Sequence, residues 1–298
     1  MVRRSSLQEI RELTYKPKDA WWTVLLVDPV AARLVWLVAP YRWITPNLLT
    51  GVATILGLGS AFAFAMQDRW WVVAGAVLFH LSFIVDCMDG KIARLNGTGS
   101  MFGTWLDFMF DRVRVFICAL ALFGGQYART DDITYMYVMI AMVFLDLFRY
   151  VNGAQMGRVR ASMREQIEAA RGPVDPAPAA EPFAEGAATQ VKRGLRSRIG
   201  RALAAHRIRT HLFSGIEFEM TVFIIAPLTF LVAARDGWII PVSLAAGALL
   251  LVFELRLIYR LWQATRAFPV ALAKAQAEGE LKAAERAARF DLPQPVQS

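Results

Sequence analysis

WWVVAGAVLFHLSFIVDCMDGKIARLNGTGSMFGTWLDFMFD, residues 70–111, opens as an apolar run and ends in carboxylates. Residues 70–85 carry no Asp, Glu, Lys or Arg. Extended to residues 69–95, the run is long enough for a helix to cross a bilayer core, which takes roughly 20 residues. Four carboxylates follow, Asp86, Asp89, Asp107 and Asp111. Asp86 and Asp89 are spaced i, i+3, and Asp107 and Asp111 i, i+4, so each pair shares one helix face. Ionisable groups inside apolar helices are costly, face the protein interior, and mark a functional site by default.

Working outward, Pro46 is placed to start a helix, and residues 46–66 form a first span. Residues 69–95 and 99–127 form the second and third, Ile133 to Val151 the fourth, Leu212 to Ala234 the fifth and Trp238 to Leu261 the sixth. Residues 19–38 are apolar but interrupted by Asp28, Pro29 and Arg33, which reads as an N-terminal helix lying in the membrane interface. The expected fold is all-α, an integral-membrane bundle of six transmembrane helices. The expected organisation is a cytoplasmic N-terminal segment with the interfacial helix (1–40), a six-helix catalytic membrane domain (41–157 and 210–262), a disordered and basic cytoplasmic insert (158–209), and a cytoplasmic C-terminal helix and tail (263–298).

Composition agrees. Of 298 residues, 56% are hydrophobic and 19% charged, with a net charge of +8. Soluble domains carry roughly 25% charged residues. A basic chain suits nucleic acid or an anionic membrane surface, and the apolar runs favour the membrane lipids over nucleic acid. Lys and Arg gather on the N-terminus, the turn near Lys91 and Arg94, the long insert and the C-terminal segment, which puts both termini and the carboxylates on the cytoplasmic side. In a bacterium the membrane would be the plasma membrane. Cys87 and Cys118 have no metal-ligand spacing and read as packing residues.

Two facing carboxylate pairs make a ring of oxygen ligands, which cannot all stay ionised without a cation. Hard oxygen ligands suit Mg²⁺, Mn²⁺ or Ca²⁺ rather than zinc. Gly90, Ala93 and Gly103 lie near these faces and leave space for close helix approach or a ligand. Burial alone leaves other readings open. The aspartates could pair with Arg94, Arg112 or Arg114 in helix packing, or line a proton or cation pathway.

The spacing is more specific than the burial. Asp86-x-x-Asp89-Gly90-x-x-Ala93-Arg94, eight residues, then Gly103-x-x-x-Asp107-x-x-x-Asp111 resembles the signature of the CDP-alcohol phosphotransferase (CDP-alcohol phosphatidyltransferase) family at every fixed position. ITPNLLT, residues 44–50, is similar to the Pro-Asn-x-x-Thr opening of that family, and the resemblance covers about residues 40–262. It implies a membrane enzyme of phospholipid biosynthesis that moves a phosphatidyl-type group from a CDP-linked lipid donor, CDP-diacylglycerol, to an alcohol acceptor with release of CMP. It implies Mg²⁺ or Mn²⁺ on Asp86, Asp89 and Asp107. Asp111 matches the fourth aspartate, a general base that also belongs to the metal site. Asn47, Thr50, Gly90, Ala93, Arg94, Ser100 and Gly103 match positions around the CDP moiety. A homodimer is implied by the resemblance alone.

Arg112, Arg114 and Glu217 are candidates for the acceptor side. Glu217 and Glu219 could instead cap a helix N-terminus, and Asp146 with Arg149 reads as a structural pair. Two other functions stay in view: transfer from a soluble CDP-alcohol to a lipid hydroxyl, and an intramembrane cation transporter, which would need neither the glycines nor Arg94.

Overall fold

The computed structural model describes residues 6–41, 43–172, 200, 202–233 and 237–290, with side chains to residue 284. Among these residues the chain is helical and has no strand, as expected; one isolated parallel bridge pairs Asp19 with Ile208. The chain divides into two units, residues 1–148 with 192–253, and residues 149–191 with 254–298.

The first unit begins with α1 (Leu7–Thr14), started by a reciprocal cap between Ser6 and Glu9. The expected interfacial segment is helical, a π turn (Thr23–Val27) running into α2 (Asp28–Val38). Next come α3 (Pro46–Ala65) and α4 (Arg69–Asn96), which pack on each other extensively. Small residues make that possible. Ser60 Oγ donates to the Gly75 carbonyl (2.7 Å) and Ser82 Oγ to the Ala53 carbonyl (2.7 Å), so the two backbones lie close along the seam. A Cβ on Gly75 would sit 2.5 Å from the fully buried Phe64 ring. Gly75→Ala is therefore expected to destabilise the bundle by about 1–3 kcal/mol through overpacking. Thermal unfolding in detergent checks this, and an unchanged midpoint would contradict the packing described.

α5 (Met101–Ala119) continues through a π turn (Leu120–Gly124) into α6 (Gly125–Thr130). A π turn disturbs the regular bonding of the helix carbonyls. Here Gln67 Nε2 reaches the carbonyls of Ala121 (3.2 Å) and Leu122 (3.4 Å) and ties the end of α3 to this turn.

Among the described residues, four helices are long and apolar enough to cross a membrane: Pro46–Ala65, Arg69–Asn96, Thr134–Ala170 and Ile239–Ala284. The expected third span, from Met101, and the expected fifth, which runs in short helical pieces from Gly215 to Leu231, are not among them. The former carries Asp107, Asp111, Arg112 and Arg114, too many charges for an ordinary apolar span.

Two helices run past boundaries drawn from the sequence. α7 (Thr134–Ala170) passes straight through the proposed end of the membrane domain at residue 157. Residues 158–170, RVRASMREQIEAA, contain no Pro or Gly and are rich in strong helix formers, so the helix outlives its hydrophobicity. It stops at Gly172, whose φ of +71° suits a helix terminus. Of the rest of the expected disordered and basic insert, residues 173–199 and 201 lie outside the described residues. The expected C-terminal helix is likewise no separate element, because one helix runs unbroken from Ile239 to Phe290 through Pro269. Its Ala-, Lys- and Glu-rich end continues the turn set by the apolar start. In the second unit, Glu254 is fully buried, forms an ion pair with Arg149 Nε (3.2 Å) and accepts from Asn152 Nδ2 (2.7 Å), while Arg171 reaches Glu278 (3.3 Å).

Candidate active site

Three helix ends build the site. Thr45 caps α3 by accepting from the Leu48 amide (3.3 Å), and Pro46 occupies the first turn. This fixes Asn47 and Thr50 at the start of α3. α4 closes at Gly97, where φ is +63°, and the chain turns at once into α5. Only a residue without a side chain takes that backbone easily. Ser100 then caps α5 by accepting from the Gly103 amide (2.9 Å). The result is a cavity of about 670 Å³ whose wall includes Asn47, Thr50, Asp89, Gly90, Ala93, Ser100, Gly103 and Asp107.

Asp86, Asp89 and Asp107 each bring one carboxylate oxygen to within 4.8 Å of the others. Asp89 Oδ2 accepts from the Thr50 hydroxyl, which joins α3 to the cluster. Asp107 Oδ1 is buried and has no hydrogen-bond partner in the structure. Such an atom is expensive to hide without a ligand. Three converging carboxylates with an orphaned buried oxygen fit a hard divalent cation, and the donor set is all oxygen.

Asp111 adjoins Asp86 and shares Arg114 with it. Arg114 donates to it through one terminal nitrogen, and through the other reaches Ser82 Oγ (3.1 Å) and Asp86 Oδ1 (3.5 Å). The side chain of Arg114 is 5% exposed. Gly57 makes room for it, since a Cβ there would lie 2.6 Å from Arg114 Cδ. Arg114 thus joins one member of each sequence pair, Asp86 and Asp111.

Arg94 does not line the cavity. Its Nε donates to the Thr14 carbonyl (3.0 Å), and its guanidinium lies over Gly90, with one terminal nitrogen 3.4 Å from where a Cβ on that residue would be.

The candidate acceptor residues are bound internally. Arg112 bridges the buried Asp146 and Glu219 (3.0 Å to the latter), and Arg114 bridges Asp86 and Asp111. Glu217 is buried and accepts from the Ser214 amide (3.0 Å) and hydroxyl (2.7 Å), the capping role weighed from sequence. Asp146 and Arg149 are both in structural ion pairs, interhelical rather than intrahelical: Asp146 faces Arg112 and Arg149 faces Glu254. Sequence reasoning passed over Thr98, Gly99 and Thr104 on the cavity wall. Thr104 lies three residues before Asp107, a helical spacing that could have flagged it.

Residues 43–180 match the family model of CDP-alcohol phosphatidyltransferase. Among curated proteins, the chain is similar to an archaetidylinositol phosphate synthase of Pyrococcus horikoshii, 37% identical over 70 residues, covering 24% of this chain and 36% of the relative. It is similar to a phosphatidylinositol phosphate synthase of Corynebacterium glutamicum, 35% identical over 89 residues, covering 30% and 37%. It also resembles a CDP-diacylglycerol–glycerol-3-phosphate 3-phosphatidyltransferase of Cereibacter sphaeroides, 34% identical over 84 residues, covering 28% and 38%. The chain spans little more than a third of the length of these relatives.

Proposed function

We propose, for a chain that belongs to the CDP-alcohol phosphatidyltransferase family through its domain at residues 43–180, a metal-dependent transfer of a phosphatidyl group from a CDP-linked lipid to an alcohol, with release of CMP. The observation that carries this reading is the convergence of Asp86 with Asp89 and Asp107, the latter two on the wall of the cavity lined by Asn47, Thr50, Gly90 and Ser100. The donor is CDP-diacylglycerol. The relatives' names, which include two inositol phosphate synthases and a glycerol-3-phosphate transferase, support a polyol acceptor that carries a phosphate.

In this reading Asp86, Asp89 and Asp107 hold Mg²⁺ or Mn²⁺. Bound there, the ion supplies charge neutralisation for the pyrophosphate and the leaving CMP. Asn47, Thr50 and the small residues Gly90, Ala93 and Gly103 seat the cytidine and phosphates, with Ser100 at the same wall. Arg94 presents a forked positive charge to phosphate. Asp111 takes the proton of the acceptor hydroxyl as its oxygen attacks the phosphorus that bears the lipid, the phosphorus–oxygen bond to CMP breaks, and a phosphodiester forms. Arg114 orients Asp111 through their ion pair. Met101–Thr130 and Gly215–Leu231 serve as the remaining two of six spans, with the site and both termini on the cytoplasmic side, as the Lys and Arg distribution favours.

The test is CMP release from CDP-diacylglycerol, CDP-choline or CDP-ethanolamine against inositol phosphate, glycerol 3-phosphate, inositol and serine. Release from CDP-diacylglycerol with a phosphorylated polyol is expected. Release only from the soluble donors with diacylglycerol would reverse the lipid's role. Asp111→Asn should lower release by about 10²–10⁴-fold, the usual worth of a general base, with donor binding retained. Full activity in that variant removes Asp111 from the base role.

A further inference from the structure

Arg207 has a φ of +61°, one of three non-glycine residues with positive φ among the described residues. Side chains disfavour this conformation. It persists where the surroundings over-determine it, and it concentrates at functional positions.

The surroundings of Arg207 do over-determine it. Its Nε donates to the Lys16 carbonyl (3.0 Å), a terminal nitrogen meets Asp28 Oδ2 (2.9 Å), and the guanidinium lies over the Tyr15 ring, 4.1 Å from its centre. Its own carbonyl accepts from the Asp19 amide (2.8 Å). These contacts lead to α4 by two routes. The other oxygen of Asp28 accepts from the buried Lys91 Nζ (2.7 Å). The Thr14 carbonyl, next to Tyr15, accepts from Arg94 Nε (3.0 Å). Lys91 and Arg94 are three residues apart on one face of α4.

We infer that Arg207 is a positioning residue for Arg94. It clamps the segment from Thr14 to Lys16 and, through Asp28, the cytoplasmic end of α4, so that Arg94 spends its Nε on Thr14 and keeps its terminal nitrogens over Gly90 at the cavity edge. A residue far along the chain, beyond the residues matched by the family, thereby sets the phosphate-facing group of the signature. The inference rests on the proposed role of Arg94 in holding the donor phosphate.

The test is equilibrium binding of CDP-diacylglycerol with Mg²⁺ to the purified full chain in detergent. Arg207→Ala should weaken binding by about tenfold, the equivalent of one charge-assisted hydrogen bond. Arg207→Lys, which can still meet Asp28, should recover part of the loss. In an Arg94→Ala background, Arg207→Ala should add nothing, because the group it positions is gone. A purely structural role would lower the unfolding midpoint and leave the folded fraction's affinity intact. Tyr15→Leu, which removes the ring beneath the guanidinium together with the hydroxyl bond to the Asp28 carbonyl, loosens the same clamp and gives the same comparison if Arg207→Ala does not fold. Equal affinity of wild type and Arg207→Ala, or the same loss with and without Arg94, overturns the inference alone. A wild-type protein that binds no CDP-lipid overturns it together with the proposed function.

Discussion

Asp107→Asn is expected to lower CMP release by on the order of a thousandfold, since a catalytic metal contributes several kcal/mol and each 1.36 kcal/mol is a factor of ten. The substitution keeps shape and removes one charge and one strong ligand. Asp107 Oδ1 has no hydrogen-bond partner to lose, so an amide fits without breaking a protein contact. In the absence of metal the variant should be at least as stable as wild type, because Asp86, Asp89 and Asp107 repel one another within 4.8 Å and one of the three charges is gone. What disappears is the rise in unfolding midpoint that Mg²⁺ or Mn²⁺ gives the wild type by binding the folded state. Thermal unfolding with and without metal, run beside the CMP assay, separates the two effects. A variant that retains both the metal-induced shift and wild-type release would remove Asp107 from the metal set.

Arg114→Met should cost about 3–5 kcal/mol of folding stability, the usual consequence of taking one partner from a buried ion pair. Arg114 is 6% exposed and is the cation between Asp86 and Asp111. Methionine fills some of the volume beside Gly57 but leaves both carboxylates without their counter-charge. Arg114→Lys keeps the charge and loses the fork, so it should lie between wild type and Arg114→Met. Saturating Mg²⁺ should restore part of the loss, because a cation in the proposed site would lie against the same Asp86. Denaturant unfolding in detergent measures the differences. A change within about 0.5 kcal/mol for Arg114→Met, the range of an ordinary surface substitution, would show that this pair holds nothing together.

Much of the site was legible because it is local. The i, i+3 and i, i+4 spacings placed the carboxylates, and the turn from Gly97 to Ser100 lies between the two pairs in the sequence itself. The convergence of Asn47 and Thr50 with them could be suspected from the family signature but not from periodicity, since Thr50 and Asp89 meet across 39 positions. The partners of Arg112, at separations of 34 and 107 residues, were beyond any pattern reading. The part that Arg114 plays beside the fourth aspartate was not foreseen: three residues along from Asp111, it pairs with that carboxylate and with Asp86. Helix ends were misjudged where hydropathy and propensity part company. The apolar pattern of α7 fades near Val151, yet the helix continues to Ala170, and the last helix runs on to Phe290.

The central claim, that the aspartate cluster binds a divalent cation for transfer from a CDP-lipid, is tested most directly by metal-dependent CMP release. The purified full chain is assayed with CDP-diacylglycerol and pooled phosphorylated polyols, after EDTA treatment and then on titration with Mg²⁺ or Mn²⁺. Release should vanish with EDTA, return with either metal, and stay absent in Asp107→Asn at every metal concentration within reach. CMP release that is indifferent to EDTA, or cation flux through proteoliposomes with no CMP formed, would contradict the account.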